Sequence, residues 1–254
     1  MRQFNNRKKP SGEKPIFGIR AVEEAIDAGK EIDKIFIKKG LQGELFKGFF
    51  KKLQELEIPF QYVPVEKLNR ITQKNHQGVV AYISPIVYDD IEQIIPTLYD
   101  EGKEPFILVL DGVTDVRNFG AIARTAECAG VNAIVIPIKG GASVNADAIK
   151  TSAGALHNTP VCRVYSLVDT IRFLKDSGIK IVAATEKGAD DYTEADYSGP
   201  KCLVMGAEDT GISTEILDIA DIFSKIPVNG KIKSLNVSVA SGIMLYEMLK
   251  FTKK

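Results

Sequence analysis

The 254-residue sequence predicts an α/β protein of two parts, a small one followed by a larger one built on a parallel sheet. Three observations carry this reading. From Phe106 onward the strand-like segments are continuous apolar runs, not alternating ones: Phe106 to Leu110, Ala133 to Ile136, Ile179 to Ala184 and Cys202 to Met205. A strand without alternation is buried on both faces, which is the condition of a parallel sheet flanked by helices. Helical stretches separate the runs, as crossovers between parallel strands require. Ahead of them, residues 16–85 hold their own complete set of helical and extended patterns, long enough to bury a modest separate core.

Taken in order, residues 1–14 carry Arg2, Arg7, Lys8, Lys9 and Lys14 against Glu13 and read as a disordered basic arm, either a solvated tail or a tether for RNA phosphate. Ile19, Val22, Ala25 and Ile26 fall at helical spacing, and Gly29 ends the run. Lys34 to Lys38 reads as a strand. Leu45, Phe49, Leu53 and Leu56 mark a second helix that stops near Pro59. A short strand (60–63), a short helix (65–71) and a strand from Gly78 to Ile83 complete the domain, closed by Pro85. The next stretch, 86–104, holds an acidic helix from Asp89 to Tyr99 interrupted by Pro96, then Glu-Gly-Lys-Glu-Pro; it reads as a connector. The expected division is thus an arm at 1–14, a first domain at 15–85, a linker at 86–104 and a second domain at 105–254. In the last segment, Asn236 to Phe251, the residues Ala240, Ile243, Met244, Glu247 and Met248 stack at i, i+3, i+4 as a strong helix.

Composition narrows the function. Lys+Arg and Asp+Glu are 33 each, so the chain lacks the basic excess of a nonspecific nucleic-acid coat. A local patch remains open: Lys30 to Lys52 holds seven Lys against Glu31, Asp33 and Glu44, either an RNA-docking face or a solvated helix surface. Cys128, Cys162 and Cys202 are scattered, which suits a reducing compartment and provides no disulfide frame or thiolate metal site. Two histidines exclude a multi-histidine metal centre, and both read as structural. No apolar run approaches a membrane span and the first residues form no signal core, so the expectation is a soluble cytoplasmic protein with no membrane and no metal partner. The sequence has no G-x-G, no Gly-Lys-Ser/Thr, no G-x-S-x-G and no H-E-x-x-H, which weakens the dehydrogenase, NTPase, esterase and metalloprotease readings.

Three polar, glycine-bearing segments follow apolar strands in the second half. Asp111 to Ala126 leaves a strand and enters a helix, with Asn118 near its N-terminus and Arg124 almost two turns later. Val204 to Ile212 leaves another strand, where Gly206 permits close backbone approach to a ligand and Glu208 lies in a glycine-flanked turn. Ile226 to Ser238 precedes the last helix, with Asn236 or Ser234 as its cap. In open α/β sheets such segments meet beyond the carboxyl ends of the strands, where ligands bind.

These residues resemble a known family. Asn118-x-Gly120 with Arg124, Gly206-x-Glu208-x-x-Gly211, and Ile226-Pro227 through Ser234-Leu235-Asn236-Val237-Ser238-Val239-Ala240 are similar, in this order, to the SpoU-type RNA ribose 2′-O-methyltransferases of the SPOUT superfamily. Phe17-Gly18-Ile19-Arg20-Ala21-Val22 and His76-Gln77-Gly78-Val79-Val80-Ala81 resemble the ribosomal-protein-like α/β substrate-binding domain that precedes many such enzymes. The likeness spans roughly Lys14 to Lys254; Val228 departs from it, where relatives often carry Met. It implies a trefoil knot at the C-terminal end of the catalytic domain, which topology rules alone exclude. It also implies S-adenosylmethionine as cofactor, a homodimer with shared active sites, and RNA as substrate, ribosomal RNA, 23S above all, favoured by the preceding domain. Rival readings are a transfer-RNA ribose methyltransferase, a non-catalytic RNA-binding ribosome-assembly protein of the same fold, and a small-molecule α/β enzyme.

The resemblance also suggests roles. Ribose methylation is an in-line displacement in which the 2′-hydroxyl must lose its proton and an alkoxide develops. The Arg matching Arg124 is the family's proposed base, but a guanidinium stays protonated, so Arg124 reads as alkoxide stabiliser and phosphate anchor, or as a structural ion pair. Asn118 orients the ribose, holds Arg124 or merely caps its helix. Glu208 pairs with an active-site Arg, and Ser234 and Asn236 contact the ribose or position the Arg. Gly206, Ile226 and Leu235 match cofactor-binding positions, the two apolar ones packing on the adenine; Thr185, at a strand end, is a weaker candidate. The dimer is expected to bury Ile243, Met244 and Met248.

Overall fold

The computed structural model describes residues 15–187 and 190–252. The basic arm at 1–14 lies outside the described residues. Contacts divide the chain into two compact units between Pro85 and Ile86.

In the first unit the elements run β1 (Ile16–Phe17), α1 (Ile19–Asp27), β2 (Ile32–Lys38), α2 (Glu44–Glu55), β3 (Phe60–Val63), α3 (Val65–Ile71) and β4 (Val79–Ile83). They form a four-stranded sheet of order β1-β4-β2-β3, with β4 antiparallel to both neighbours and β2 parallel to β3. Strand period two splits the core. Ile35, Ile37, Val79 and Ala81 face α1 and α2, which contribute Ile19, Val22, Phe46, Phe49 and Leu53. Phe36 and Val80 point the other way, onto Leu68 of α3. The lysines of α2 do not form a free basic face. Lys47 pairs with Glu44 (2.6 Å), Lys51 with Glu55 (3.5 Å), and Lys52 with Asp27 and Glu23.

The second unit comprises α4 (Ile91–Asp100), β5 (Phe106–Asp111), α5 (Val116–Cys128), β6 (Ala133–Pro137), α6 (Ala146–Thr151), β7 (Val161–Val164), α7 (Leu167–Asp176), β8 (Lys180–Ala184), β9 (Asp190–Asp191), β10 (Lys201–Gly206), α8 (Thr214–Leu217), β11 (Ile222–Lys225) and α9 (Val237–Leu249). Its seven strands pair in parallel in the order β7-β6-β5-β10-β8-β11-β9. One face carries Leu108, Leu110, Ile134, Ile136, Leu203 and Met205 under α5 and α9. The other carries Ile107, Val109, Val135, Ile181 and Val204 under α4, α7 and α8. The apolar runs are therefore two interleaved sets, one for each core, as a doubly covered parallel sheet demands.

Two expectations are corrected. The stretch 86–104 is not a free connector: α4 runs unbroken through Pro96, with Asp90 capping it, and buries Ile91, Ile95 and Leu98 in the second unit. Met244 and Met248 are fully buried in the core of the second unit, so they are not available to the expected dimer surface. The side chains of α9 that face solvent are Val239 and Tyr246, each half exposed. Cys162 and Cys202 are buried, and burial, with Asp89 and Asp90 nearby, pushes the Cys162 thiol up to about 12. Among the described residues no helix is long and apolar enough to cross a membrane and no cluster of metal-ligating side chains occurs.

Candidate active site

β5, β10, β8 and β11 are consecutive in the sheet and parallel, so their carboxyl ends lie along one edge. Each is followed by a segment that carries a predicted site residue: Asn118 after β5, Glu208 after β10, Thr185 after β8 and Ile226 after β11. From β5 the sheet continues through β6 and β7 on one side, whereas β10 and β8 occupy the other. Such a reversal of strand order opens a crevice for ligand.

The cluster is built from two helix starts. Asp115 caps α5, its Oδ1 accepting the amides of Arg117 (2.9 Å) and Asn118 (2.8 Å). Asn118 is thus relieved of capping, and its Nδ2 donates to Glu208 Oε1 at 3.2 Å. Asn236 caps α9 through Oδ1, which accepts from Ser238 N (3.0 Å) and Ser238 Oγ (2.5 Å). Its Nδ2 donates to Glu208 Oε1 at 2.5 Å and to Asn118 Oδ1 at 3.2 Å. The Val237 amide also donates to Glu208 Oε1, at 3.2 Å. One carboxylate oxygen thereby joins all three motif segments, placed at the start of a thirteen-residue helix where negative charge is favoured. The expected Glu208–Arg pair is replaced by two asparagines and a backbone amide.

The loop holding Glu208 is fastened at both ends. Ala207 and Gly211 exchange backbone hydrogen bonds of 3.2 and 2.9 Å, and Asp111 Oδ2 accepts the Ser213 amide at 2.7 Å. A Cβ on Gly206 would meet the backbone of Gly211 and Ile212. The chain's own return therefore accounts for glycine there, and close approach by a ligand is not needed to explain it. Gly120 has a parallel explanation: its Cβ would come within 2.8 Å of Ala148 O, so glycine lets α5 and α6 touch. Asp111 and Asp115 were not among the expected site residues. The signal for Asp115 was present, an N-cap residue type three positions before Asn118; nothing local marks Asp111, whose partner lies 102 residues away.

The remaining predicted residues stand apart from this cluster. Arg124 is exposed and, among the described residues, its side chain makes no hydrogen bond or ion pair. Six residues past Asn118, it sits about 9 Å further along α5 and roughly a third of a turn round. Ser234 is exposed and Leu235 is 38% exposed. Ile226 is half-buried against the core below α9. The Thr185 amide donates to Ser224 O at 3.0 Å, and its Oγ1 accepts the Lys187 amide. Among the described residues, the segment 226–235 makes no backbone hydrogen bonds of its own.

Residues 105–246 match the SpoU rRNA Methylase family, and residues 15–88 match the family described as RNA 2′-O ribose methyltransferase substrate binding. A Staphylococcus haemolyticus protein named for the TrmH family of tRNA/rRNA methyltransferases is 36% identical over 235 residues, covering 92% of this chain and 94% of that one. The AdoMet-bound rRNA methyltransferase of Sinorhizobium meliloti superposes with a TM-score of 0.60 at 27% identity, over 94% of this chain and 87% of that one. The TrmH/SpoU tRNA modifying enzyme of A. aeolicus gives 0.53 at 34% identity, over 63% of this chain and 83% of its own. With the family matched over more than half its length and a relative of this identity along nearly all of it, the chain belongs to the SpoU/TrmH family of RNA methyltransferases.

Proposed function

We propose that this S-adenosylmethionine-dependent RNA methyltransferase methylates a ribose 2′-hydroxyl, and that its substrate is ribosomal RNA. The observation that carries the reading is the Asn118–Glu208–Asn236 cluster at the carboxyl ends of β5 and β10. Each asparagine is fixed by Glu208 and by the other, and Asn118 keeps an unused amide hydrogen and lone pair for a sugar hydroxyl.

The residues present fit the cofactor. The segment 226–235 offers unpaired backbone donors and acceptors beside the exposed face of Leu235 and the half-buried Ile226, which suits a flat heterocycle with polar edges. Gly206 ends β10 and Thr185 follows β8, the two strands that precede β11 in the sheet order. When bound, S-adenosylmethionine supplies an electrophilic methyl group. The chain's residues orient the ribose and favour the alkoxide that develops at its 2′-oxygen. Arg124 is the cation for that charge and an anchor for the adjacent phosphate; Ser234, two residues before the α9 cap, is a second hydroxyl contact for the ribose.

The separation of Arg124 from the asparagines supports a site completed by a second copy of the chain. A groove of about 480 Å³ on the outer side of α9, lined by Tyr192, Ile243, Tyr246 and Leu249, supplies apolar surface for that dimer. The trefoil knot is proposed too, supported by the place of β10 between β5 and β8, both earlier in the chain. Ribosomal RNA is preferred over transfer RNA because a solved relative that covers 94% of the chain is an rRNA methyltransferase, whereas a tRNA modifying enzyme covers 63% of it. We place the reaction in the cytoplasm. Ribose-methylation mapping in a deletion strain tests the reading. The expected result is one 23S position that loses its methyl group and regains it on complementation; a loss confined to transfer RNA would overturn the substrate assignment.

A further inference from the structure

We infer that the first unit grips the RNA backbone through the end of its sheet where β2 finishes and β4 begins, and not through the lysine-rich helix α2. The inference rests on the RNA-methyltransferase reading above and adds where the substrate strand is held.

Partners sort the cations. On α2, Lys47, Lys51 and Lys52 each have a carboxylate within 4 Å. A paired lysine must lose that carboxylate before it neutralises a phosphate, and its charge adds little to the field that draws in a polyanion. Arg20, Lys38, Lys39 and Lys74 differ: all four are exposed and, among the described residues, none forms an ion pair.

The fold brings these four together from three separate segments. Lys38 ends β2, and its amide donates to Gly78 O at 2.8 Å; the Lys39 amide donates to Val63 O at 2.9 Å. Gln77 Oε1 accepts the Ile19 amide at 3.3 Å, which sets the loop before β4 against the first turn of α1, where Arg20 projects. The Lys74 ammonium lies 5.7 Å from the centre of the Phe17 ring, and Phe17 pairs in register with Val80. The cations thus share one rim, and the aromatic under Lys74 belongs to the same rim.

The rim is also built before any ligand arrives. His76 Nδ1 accepts the Gly78 amide at 2.9 Å while its Nε2 meets Asn69 Oδ1 at 2.9 Å. Thr72 Oγ1 accepts the Lys74 amide and Asn75 Oδ1 the Gln77 amide. A loop cross-bonded in this way presents Lys74 with little ordering left to do on binding. Several unpaired cations on a rigid rim, with amide side chains among them, suit the phosphates of an RNA strand.

The full-length chain tests this against two probes, 23S ribosomal RNA transcribed in vitro and bulk transfer RNA, with binding followed by anisotropy across a salt series. The triple variant Lys38→Ala/Lys39→Ala/Lys74→Ala should weaken binding of whichever RNA the natural chain holds by about tenfold or more, and flatten the log–log salt slope by about two. The triple variant Lys47→Ala/Lys51→Ala/Lys52→Ala should stay within about twofold. Lys38→Arg/Lys39→Arg/Lys74→Arg guards against a folding artefact and should bind like the natural chain. An α2 variant as weak as the rim variant, or a rim variant that binds normally, overturns the inference, as does a natural chain that binds neither RNA. If the variants behave as expected and the natural chain methylates neither RNA, the function reading fails while the rim stands.

Discussion

In the second unit, one oxygen of Glu208 collects hydrogen bonds from Asn118, Asn236 and Val237, and the side chains that matter are tied to one another. In the first unit, the cations of α2 are tied to carboxylates while Arg20, Lys38, Lys39 and Lys74 are left unpaired. On the proposed function, the contrast follows from what each part does. A reacting hydroxyl has to be held within tenths of an ångström, so its holders are over-determined by mutual hydrogen bonds. Capture of a polyanion needs charge that is not already spent on a neighbour.

The largest effect should come from cutting the chain where this contrast is assumed to divide. A chain that begins at Ile86 retains α4, whereas one that begins at Glu101 loses Ile91, Ile95 and Leu98 from the second core. Each of these burials contributes about 1.5–3 kcal/mol, so the sum rivals the roughly 5–15 kcal/mol that holds a whole domain together. The longer form should show a cooperative urea transition and bind S-adenosylmethionine; the shorter should show neither. Equal stability of the two would mean that α4 is an accessory and that the connector reading was the better one.

Next in size is Arg124→Ala. The loss of a cation acting only on the developing alkoxide should lower kcat by about 10³-fold, the scale of removing an oxyanion donor. Cofactor affinity, by titration calorimetry, should stay within a few-fold, because among the described residues the Arg124 side chain makes no hydrogen bond to the segments proposed to hold the cofactor. Loss of both would mark Arg124 as structural. Glu208→Ala should cost about 10²-fold, and Glu208→Gln less, since the amide keeps an acceptor oxygen. Combining Glu208→Ala with Asn118→Ala should cost hardly more than either alone, as groups acting through one network are not additive. Fully additive losses would dissolve the cluster as a unit.

The sequence made the second unit more legible than the first, for physical reasons. Strands buried on both faces announce themselves as apolar runs, and β5, β6, β8 and β10 were found that way. β7, β9 and β11 give no such run: β9 is two residues long, and Val161–Val164 and Ile222–Lys225 are four residues each and mix apolar with polar side chains. Asn118, Glu208 and Asn236 were legible because each follows a strand in a glycine-bearing segment. Their mutual bonds were not, since these span 28 to 118 residues of sequence. Likewise the seven lysines from Lys30 to Lys52 were visible as a run, but a count of charges cannot say which are already paired. That information appears only when Asp27 and Glu23 of α1 fold against Lys52.

The smallest expected effect probes how far the tying extends. Asp111 lies at the end of β5, in register with Gly206, and its Oδ2 accepts the Ser213 amide at 2.7 Å. This bond closes the loop that carries Glu208, although among the described residues Asp111 makes no hydrogen bond to Glu208, Asn118 or Asn236. Asp111→Asn keeps an oxygen in place and loses only the charge, so the bond should weaken by about 1 kcal/mol. If the loop transmits this, Glu208 should be held less firmly, and kcat should fall about three- to fivefold with the KM for S-adenosylmethionine nearly constant. Asp111→Ala removes the acceptor and should deepen the same kcat defect. A lowered Tm with kcat unchanged would show that Asp111 supports the fold alone, and would confine the tied region to the three residues that Glu208 touches.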